Sequence, residues 1–377
     1  MKRLAIMASV ALVALLAVQS LVAQQHQGRA ATPAPMRSAV LAPAVRQQLL
    51  ESLAKATAYL KQQQQPDGRW EKHPGVTALV AASLLRQPGV PRAQKLEMTK
   101  RALDSLVQLQ KPDGGIYERD LPDYITSVSV MALVAGGRAE DRRVIERARD
   151  FLVKQQLDEG EGVKPDDKFY GGMGYGGTTT RDGGRADMVS LEYGLRAMKE
   201  AGLPKDDAAW QKAIKFLQRA QNNSETNDQR WAGNDGGFVY YPGFSFSPLG
   251  ELHSYGSVSY AGLLSYTYAN LTTSDPQVQA VMKWVRDNYT VDENPGLGQK
   301  TVYYYYLVFA KALKAVGETF ITDAQGRRHN WREDLGSKLI SLQRPEGYWV
   351  NTVPDEMQDN KVVVTAFTMS AIEAILE

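Results

Sequence analysis

Residues 106–114 read Leu-Val-Gln-Leu-Gln-Lys-Pro-Asp-Gly, and the same pattern recurs without a gap at residues 60–68 and 339–347. In each copy a Leu and a Gln lie four positions apart, and a Pro and an acid-Gly pair follow. Leu and Gln at this spacing share one face of a helix. Pro cannot continue a helix, and the acid-Gly pair favours a tight turn. Each copy therefore predicts a helix end followed by a turn, and the chain is predicted to be a repeat protein.

Weaker copies of this motif end at residues 152–156 and 217–221, and the least regular one ends near residues 284–289. Six copies are present in all. Each precedes a segment of small and apolar residues, and these segments predict second helices at residues 76–86, 125–135, 188–201, 254–271, 302–316 and 362–376.

The two helices of each predicted pair differ in polarity. The helices before the turns carry charge on one face, as at residues 146–150, whereas the second helices are apolar nearly all round. The charged helices are predicted to form an outer ring and the apolar ones an inner ring around a cavity. The fold class is therefore an all-α closed α/α toroid of six helix pairs, with an open solenoid of stacked pairs as the alternative.

The repeated Gln has a structural interpretation. We expect it to join a free carbonyl of its own helix end to an amide of the next pair, with the Trp at positions 70 and 349 covering this contact.

The N-terminus has the pattern of a secretory signal. Lys2 and Arg3 precede an apolar stretch at residues 4–18, and a small residue, Ala23, offers a cleavage point. We predict a signal peptide at 1–23, a disordered linker rich in Gln, Ala and Pro at 24–44, and the toroid at 45–377. The protein is then exported, to the periplasm or beyond, without a stable membrane span after cleavage. An uncleaved membrane anchor is the alternative.

Charge and cysteine content exclude several function classes. The chain has 44 basic and 42 acidic residues, and the predicted signal removes two basic ones, so the remainder is balanced. This balance argues against a nucleic-acid partner. The chain contains no Cys, which excludes disulfides, thiolate metal ligands and cysteine nucleophiles.

The pattern of Gln, Pro-Asp-Gly and Trp resembles the QW-type repeat of the prenyltransferase and squalene cyclase superfamily, over essentially the whole chain after the linker. Residues 170–177, 292–299 and the four tyrosines at 303–306 resemble an exported bacterial branch of unassigned function. The resemblance implies a toroid whose cavity opens at the starts of the inner helices. It brings no agreed substrate.

The activities of that superfamily require residues that this chain lacks. Its cyclases protonate an alkene with an Asp-x-Asp-Asp run, and the nearest pairs here are Asp166-Asp167 and Asp206-Asp207. Its zinc prenyltransferases, and the lanthionine-type cyclases on similar toroids, need Cys as a ligand. We therefore predict no metal and no cofactor.

Polar residues that precede the inner helices are the candidates for chemistry: His73, Asp123, Asp187, Glu251, His253, Tyr255 and Asp355. Asp187, Glu251, His253 and Tyr255 are the catalytic candidates. His253 occupies a position that resembles the superfamily's His ligand, but one His with scattered acids is a weak metal site. A hydrogen-bonded structural His is the alternative.

Aromatic residues are the candidates for ligand binding, namely Tyr303, Trp231 and Tyr240. Four consecutive tyrosines cover a full helical turn, so at least one is expected to face the cavity. The connection at residues 222–251 adds further rings at 238, 241, 244 and 246. An aromatic mouth suits an apolar or sugar-like ligand.

These features predict an exported protein that binds an apolar, isoprenoid or glycan ligand in its central cavity, without established catalysis. The alternatives are a terpene or squalene cyclase-like enzyme with a non-standard acid, a polysaccharide lyase or hydrolase, and a purely structural partner-binding surface. A cyclase needs a dry aromatic cavity with one acid, whereas a glycan enzyme needs an open groove with two carboxylates. The sequence predicts no particular protein partner.

Overall fold

A computed structural model of the chain describes residues 41–176, 185–353 and 359–377. The predicted signal peptide, the linker up to residue 40 and the candidate Asp355 lie outside these described residues. Within them, no helix combines the length and the apolar character that crossing a membrane would require.

Helices dominate the described residues, and one short antiparallel hairpin, β1 (Ile321–Thr322) and β2 (Arg328–His329), joins two of them. In chain order the helices are α1 (Pro43–Gln63), α2 (Pro74–Arg86), α3 (Arg92–Gln108), α4 (Pro122–Gly136), α5 (Arg142–Lys154), α6 (Met188–Glu200), α7 (Ala208–Ala220), α8 (Gly256–Tyr268), α9 (Pro276–Asp287), α10 (Val302–Ala315), α11 (Trp331–Leu342) and α12 (Lys361–Leu376).

The even-numbered helices form an inner ring. Each packs against the even-numbered helices before and after it, and α12 packs against α2, so the row of inner helices returns to its start. They are buried nearly all round, as in α8, where every residue from 256 to 266 is buried. The odd-numbered helices lie outside them and bury one face. The prediction of an all-α toroid is confirmed.

Hydrogen bonds between the first and last pairs hold the two ends of the ring together. The Glu333 carboxylate of α11 accepts a hydrogen bond of 2.8 Å from the backbone N of Ala42, just before α1. The Arg46 guanidinium of α1 donates to the last carbonyl of α12, that of Leu376, at 3.0 Å. Both contacts join residues more than 290 positions apart.

The repeated glutamine lies at the junction between one outer helix and the next. Gln110 donates both hydrogens of its amide nitrogen, one to the Gly114 carbonyl in its own turn at 3.0 Å and one to the Val144 carbonyl in α5 at 2.9 Å. Four more junctions repeat this pair of bonds, through Gln64, Gln156, Gln221 and Gln343. We call these five side chains the clamp glutamines.

This arrangement corrects the sequence-based expectation. The clamp glutamines bond a carbonyl of the next outer helix and not an amide, because the two hydrogens on one nitrogen reach both carbonyls at once. The tryptophan also has another role. Trp70 and Trp349 donate through Nε1 to the carbonyls of Leu60 and Leu339, each at 2.8 Å, and so satisfy the end of their own outer helix.

The turn glycine is required by close approach to the next outer helix. Gly114 has a φ of +100°, and a Cβ built there would lie 2.5 Å from the backbone oxygen of Arg147 in α5. The glycines after the other clamp glutamines share both the positive φ and the crowding: Gly68, Gly171, Gly236 and Gly347. Any larger residue would push the turn away from its neighbour.

The sixth junction, between α9 and α11, uses a tyrosine. Tyr289 stands four residues after Val285, at the place of the clamp glutamine, and its hydroxyl donates to the Asp334 carboxylate of α11 at 2.8 Å. The same ring stacks on His329 at 4.4 Å. The hairpin before α11 thus takes part in this junction.

The clamp predicts the effect of removing one glutamine. Gln110→Ala loses two hydrogen bonds and leaves the Gly114 carbonyl without its partner, so we expect the free energy of unfolding to fall by about 1 to 2 kcal/mol. Urea denaturation measures this change in the free energy of unfolding. Gln108→Ala, an exposed position two residues earlier in α3, is the matched control. Equal losses in the two variants would show that the clamp contributes nothing.

Candidate functional site

A cavity of about 230 Å³ opens where the inner helices begin. Its wall is mostly aromatic and apolar, with hydroxyls and one ammonium group at the edge. The lining residues are Val189, Tyr240, Phe246, Tyr255, Ser257, Leu297, Lys300, Thr301, Tyr304 and Phe367. They come from the starts of α6, α8 and α10, from the body of α12 and from the long connection before α8.

That long connection is fixed to the inner ring by backbone hydrogen bonds. The Tyr240 carbonyl accepts a bond from the first residue of α6, Met188, at 2.9 Å. The Tyr255 amide, just before α8, donates to the Phe238 carbonyl at 3.3 Å. These two bonds place the Tyr240 and Tyr255 rings beside the cavity, and both residues had been predicted at the mouth.

Tyr304 is the member of the tyrosine run that lines the cavity. Its hydroxyl is buried and has no hydrogen-bond partner among the described residues. Tyr305 and Tyr306 instead donate to the carbonyls of Thr290 and Val291, at 2.6 and 3.0 Å. Tyr303, the predicted ligand contact, packs edge-on against Tyr306 and is absent from the cavity wall. The buried Tyr304 hydroxyl therefore offers both a donor and an acceptor to whatever fills the cavity.

The charge state of this phenol follows from its surroundings. Burial, reinforced by the nearby Glu192 carboxylate, raises the pKa of Tyr304 well above 10. Burial and then the neighbouring Asp187 raise the pKa of Tyr240 in the same way. Both rings are neutral at every physiological pH, so they act as hydrogen-bonding groups and not as bases.

Asp187 caps helix α6. One carboxylate oxygen accepts bonds of 2.9 Å from the backbone amides of Val189 and Ser190, and the other accepts a bond of 2.8 Å from the Ser190 hydroxyl. His73 has a similar place at α2, where its Nδ1 faces the Val76 amide at 3.4 Å. Capping satisfies the free amides of a helix start.

Trp231 and His253 line a separate open groove of about 340 Å³, and Glu251 is exposed on the turn beside it. The polar groups of this groove mostly hold the connection together. Asn222 donates to the Leu252 carbonyl and to the Ser254 hydroxyl, each at 2.9 Å. Of the predicted site residues, Tyr240 and Tyr255 thus line the cavity and Trp231 and His253 line the groove, whereas Asp187, Glu251 and Tyr303 line neither.

No cluster of three or more His, Asp or Glu side chains suited to a metal ion occurs in the ranges 41–176, 185–353 and 359–377.

Asp123, at the start of α4, is a predicted acid with a perturbed carboxyl group. It is only 4% exposed, and burial raises its pKa to about 7. Its Oδ1 has no hydrogen-bond partner among the described residues. Its backbone amide donates to the Tyr175 carbonyl at 3.2 Å.

Sequence reasoning missed a second acid of this kind. Glu192 lies inside the ring on α6, and burial raises its pKa to about 7 against the opposing effects of Arg196 and Lys311. The available signal is a row of charged residues four apart on this helix, at positions 192, 196 and 200.

Comparison with known proteins finds solved structures of the same fold but no relative by sequence. No family model matches the chain, and no curated protein sequence matches it. The type II terpene cyclase MstE from Scytonema, in complex with geranylgeranyl dihydroxybenzoate, matches with a TM-score of 0.55 at 14% identity, over 88% of this chain and 99% of that one. A polysaccharide lyase matches with a TM-score of 0.56 at 12% identity, over 88% and 97% of the two chains.

A glycosyl hydrolase family 88 protein from Bacteroides vulgatus matches with a TM-score of 0.53 at 10% identity, over 88% of this chain and 99% of that one. All three share the α/α toroid. The predicted resemblance to toroid proteins is confirmed in the fold. Identities this low establish architecture and no activity.

The raised pKa of Asp123 predicts how stability changes with pH. Below its unfolded pKa of about 3.9 the carboxyl is protonated in both states, and as pH rises towards 7 only the unfolded chain ionises. The contribution of the Asp123 carboxyl to the free energy of unfolding therefore falls as pH rises from about 3.9 to about 7. Asp123→Asn lacks the effect, so its stability relative to wild type should grow with pH, by at most about 4 kcal/mol.

Urea denaturation at several pH values measures this difference. Glu192 titrates in both proteins and cancels from the comparison. The exposed Asp150, changed to Asn, is the control and should run parallel to wild type. Parallel curves for Asp123→Asn as well would mean that its carboxyl is not held neutral by burial.

Proposed function

We propose that this protein binds an apolar ligand that carries one oxygen-containing group, with the apolar part in the aromatic cavity and the oxygen at Tyr304. The observation that carries the proposal is the Tyr304 hydroxyl, buried in the cavity wall without a partner among the described residues. A buried polar group without a partner costs free energy, and a ligand oxygen recovers it.

The surface around the mouth supports an apolar ligand. The large hydrophobic side chains that stand exposed in the described structure are Phe246, Leu249 and Leu252, at 49%, 68% and 36% exposure. All three lie in the long connection before α8, but only Phe246 lines the cavity, whereas Leu249 and Leu252 line the separate groove beside Trp231. Lys300 and Thr301 supply a polar edge, so a ligand with one polar end fits better than a uniformly apolar one.

Structural neighbours make an isoprenoid a reasonable member of this class. MstE is seen with geranylgeranyl dihydroxybenzoate, which combines an apolar chain with an oxygen-bearing ring. That ligand belongs to MstE. For this chain the neighbour indicates only that a toroid of this type accommodates such a molecule.

The acids observed favour binding over the two enzymatic alternatives. Asp123 has a raised pKa, so it is a weaker acid than an ordinary Asp, whereas alkene protonation requires a stronger one. A glycan hydrolase needs two carboxylates facing one groove. In the groove beside Trp231, Asp235 is the acid of the lining, and its Oδ1 already accepts bonds from the Gly237 amide and the Ser254 hydroxyl.

Changing Tyr304 to Phe tests the binding proposal. We expect farnesol to bind this variant about fivefold to tenfold more weakly, because one buried hydrogen bond is lost. A hydrocarbon of the same length should bind both proteins equally. Tyr348→Phe, at a ring that packs against Tyr59 of outer helix α1, is the matched control. Tryptophan fluorescence titration gives the affinities.

Extraction of the native protein gives an independent check. Small molecules that copurify with the wild type and are lost from Tyr304→Phe should be apolar and oxygenated, while His253→Ala, outside the cavity, should retain them. If His253→Ala lost the molecule and Tyr304→Phe kept it, the groove would be the binding site. If the wild-type protein neither bound farnesol nor retained a small molecule, the proposal would fail.

We also propose that the chain is exported, on the basis of the basic start and apolar stretch before Ala23. Sequencing the N-terminus of protein recovered from its native cells should then give Gln24 as the first residue. Recovery of a chain that still begins at Met1 would favour the membrane anchor instead.

A further inference from the structure

A second cavity lies at the opposite end of the ring, where the inner helices finish. Its volume is about 210 Å³. Its charged lining comes from four helices, α2, α6, α10 and α12, and consists of Arg86, Arg196, Glu200, Lys311, Lys314 and Glu373. Four cations thus face two acids. Lys314 is also paired with Glu377 at the end of the chain.

One side of this cavity is a fixed wall of ion pairs. Arg196 Nε lies 2.9 Å from one Glu200 oxygen, and Arg86 Nη2 lies 2.5 Å from the other. Arg86 also donates to the Met131 carbonyl at 3.1 Å. Both oxygens of Glu200 are therefore engaged, and the two guanidinium groups are held in place.

The other side has groups that do not meet. Lys311 Nζ and Glu373 Oε2 are 3.9 Å apart, which is too long for a hydrogen bond. Glu373 Oε2 is buried and has no hydrogen-bond partner among the described residues. Burial, together with the nearby Arg196 and Arg86, lowers the pKa of Lys311 to about 7, although Glu373 and Glu200 oppose this. The Lys311 ammonium, on a side chain that is 12% exposed, and the buried Glu373 carboxylate thus make no close contact with each other.

We propose that this second cavity binds a small carboxylate that carries a hydrogen-bond donor on the adjacent carbon, as 2-hydroxy and 2-amino acids do. The ligand carboxylate would lie between Lys311 and Arg196, and its hydroxyl or ammonium group would donate to Glu373 Oε2. An anion alone would satisfy the excess cations but would face Glu373 unfavourably. This inference does not depend on the aromatic cavity.

Three ligands of nearly equal shape test it: lactate, alanine and propionate, which differ in having a hydroxyl, an ammonium or a hydrogen next to the carboxylate. Isothermal titration at about pH 6, one unit below the pKa of Lys311, keeps that amine charged. We expect lactate or alanine to bind about fivefold more tightly than propionate, because only they supply the donor. Which of the two binds better identifies the class.

Variants assign the contacts. Lys311→Met should weaken binding of all three ligands about tenfold or more, because it removes a charge-assisted hydrogen bond. Glu373→Gln should reduce the preference for lactate and alanine over propionate and leave propionate binding unchanged or stronger. Lys283→Met, at a lysine that is 72% exposed on outer helix α9, is the control and should bind as the wild type does.

Other outcomes would overturn the proposal. If none of the three ligands bound more tightly than chloride, the cavity would hold water only. Binding that Lys311→Met left unchanged would place the ligand elsewhere. Equal affinity for all three ligands, lost in Lys311→Met, would make the cavity a simple anion site and would remove the role of Glu373. Circular dichroism of each variant shows whether the ring has folded.

Discussion

The fork of two hydrogen bonds from each clamp glutamine is the contact on which the ring depends. Inner helices pack on one another along their length, but successive outer helices scarcely touch, apart from α11 and α1. At four of the five clamp junctions, the link from one outer helix to the next is therefore a turn whose glycine lies against that helix and whose glutamine bonds its backbone. At the fifth, between α11 and α1, the same turn adds to direct helix packing. Glycine and glutamine work together: the first permits the approach and the second satisfies the carbonyls that the approach buries.

A second repeated bond explains why the connections differ so much in length. In the first pair the Thr77 hydroxyl of α2 accepts a bond from the Trp70 amide, and in the fourth pair Ser259 of α8 accepts one from Phe238. The chain between these points is short in the first case and long in the second. Because both ends of each connection are fixed, added residues change little in the ring, and the closure cost of a longer loop grows slowly. The fourth connection uses that freedom to supply Tyr240 and Phe246 to the cavity.

The fold was predictable because its signals are local. A Leu and a Gln four apart mark five of the six junctions, and three of these also have the Pro and the acid-Gly pair. The apolar character of the second helices marks the inner ring. The site was less predictable. In a run of four tyrosines, periodicity alone does not show which ring faces the axis, and the answer, Tyr304, depends on how α10 packs against α8 and α12. The exposure of Glu251 and His253 depends on the path of a loop without repeat character. The charged residues at 192, 196 and 200 could be recognised in the sequence of α6. The residues that face them, Lys311 and Glu373, lie on other helices and could not be assigned to them from the sequence.

Helix direction accounts for the contrast between the two ends of the axis. All inner helices begin at one end of the ring, where free backbone amides need acceptors. The side-chain oxygens of Asp187 and Asn360 accept hydrogen bonds from such amides. Asp187, which the sequence places at the mouth, is thereby engaged, and the rings of Tyr240, Tyr255 and Tyr304 line the cavity. At the other end the helix dipoles favour cations, and Arg86 stands in the last turn of α2. The same ring therefore has an apolar cavity at one end and a charged cavity at the other, because its inner helices all run the same way.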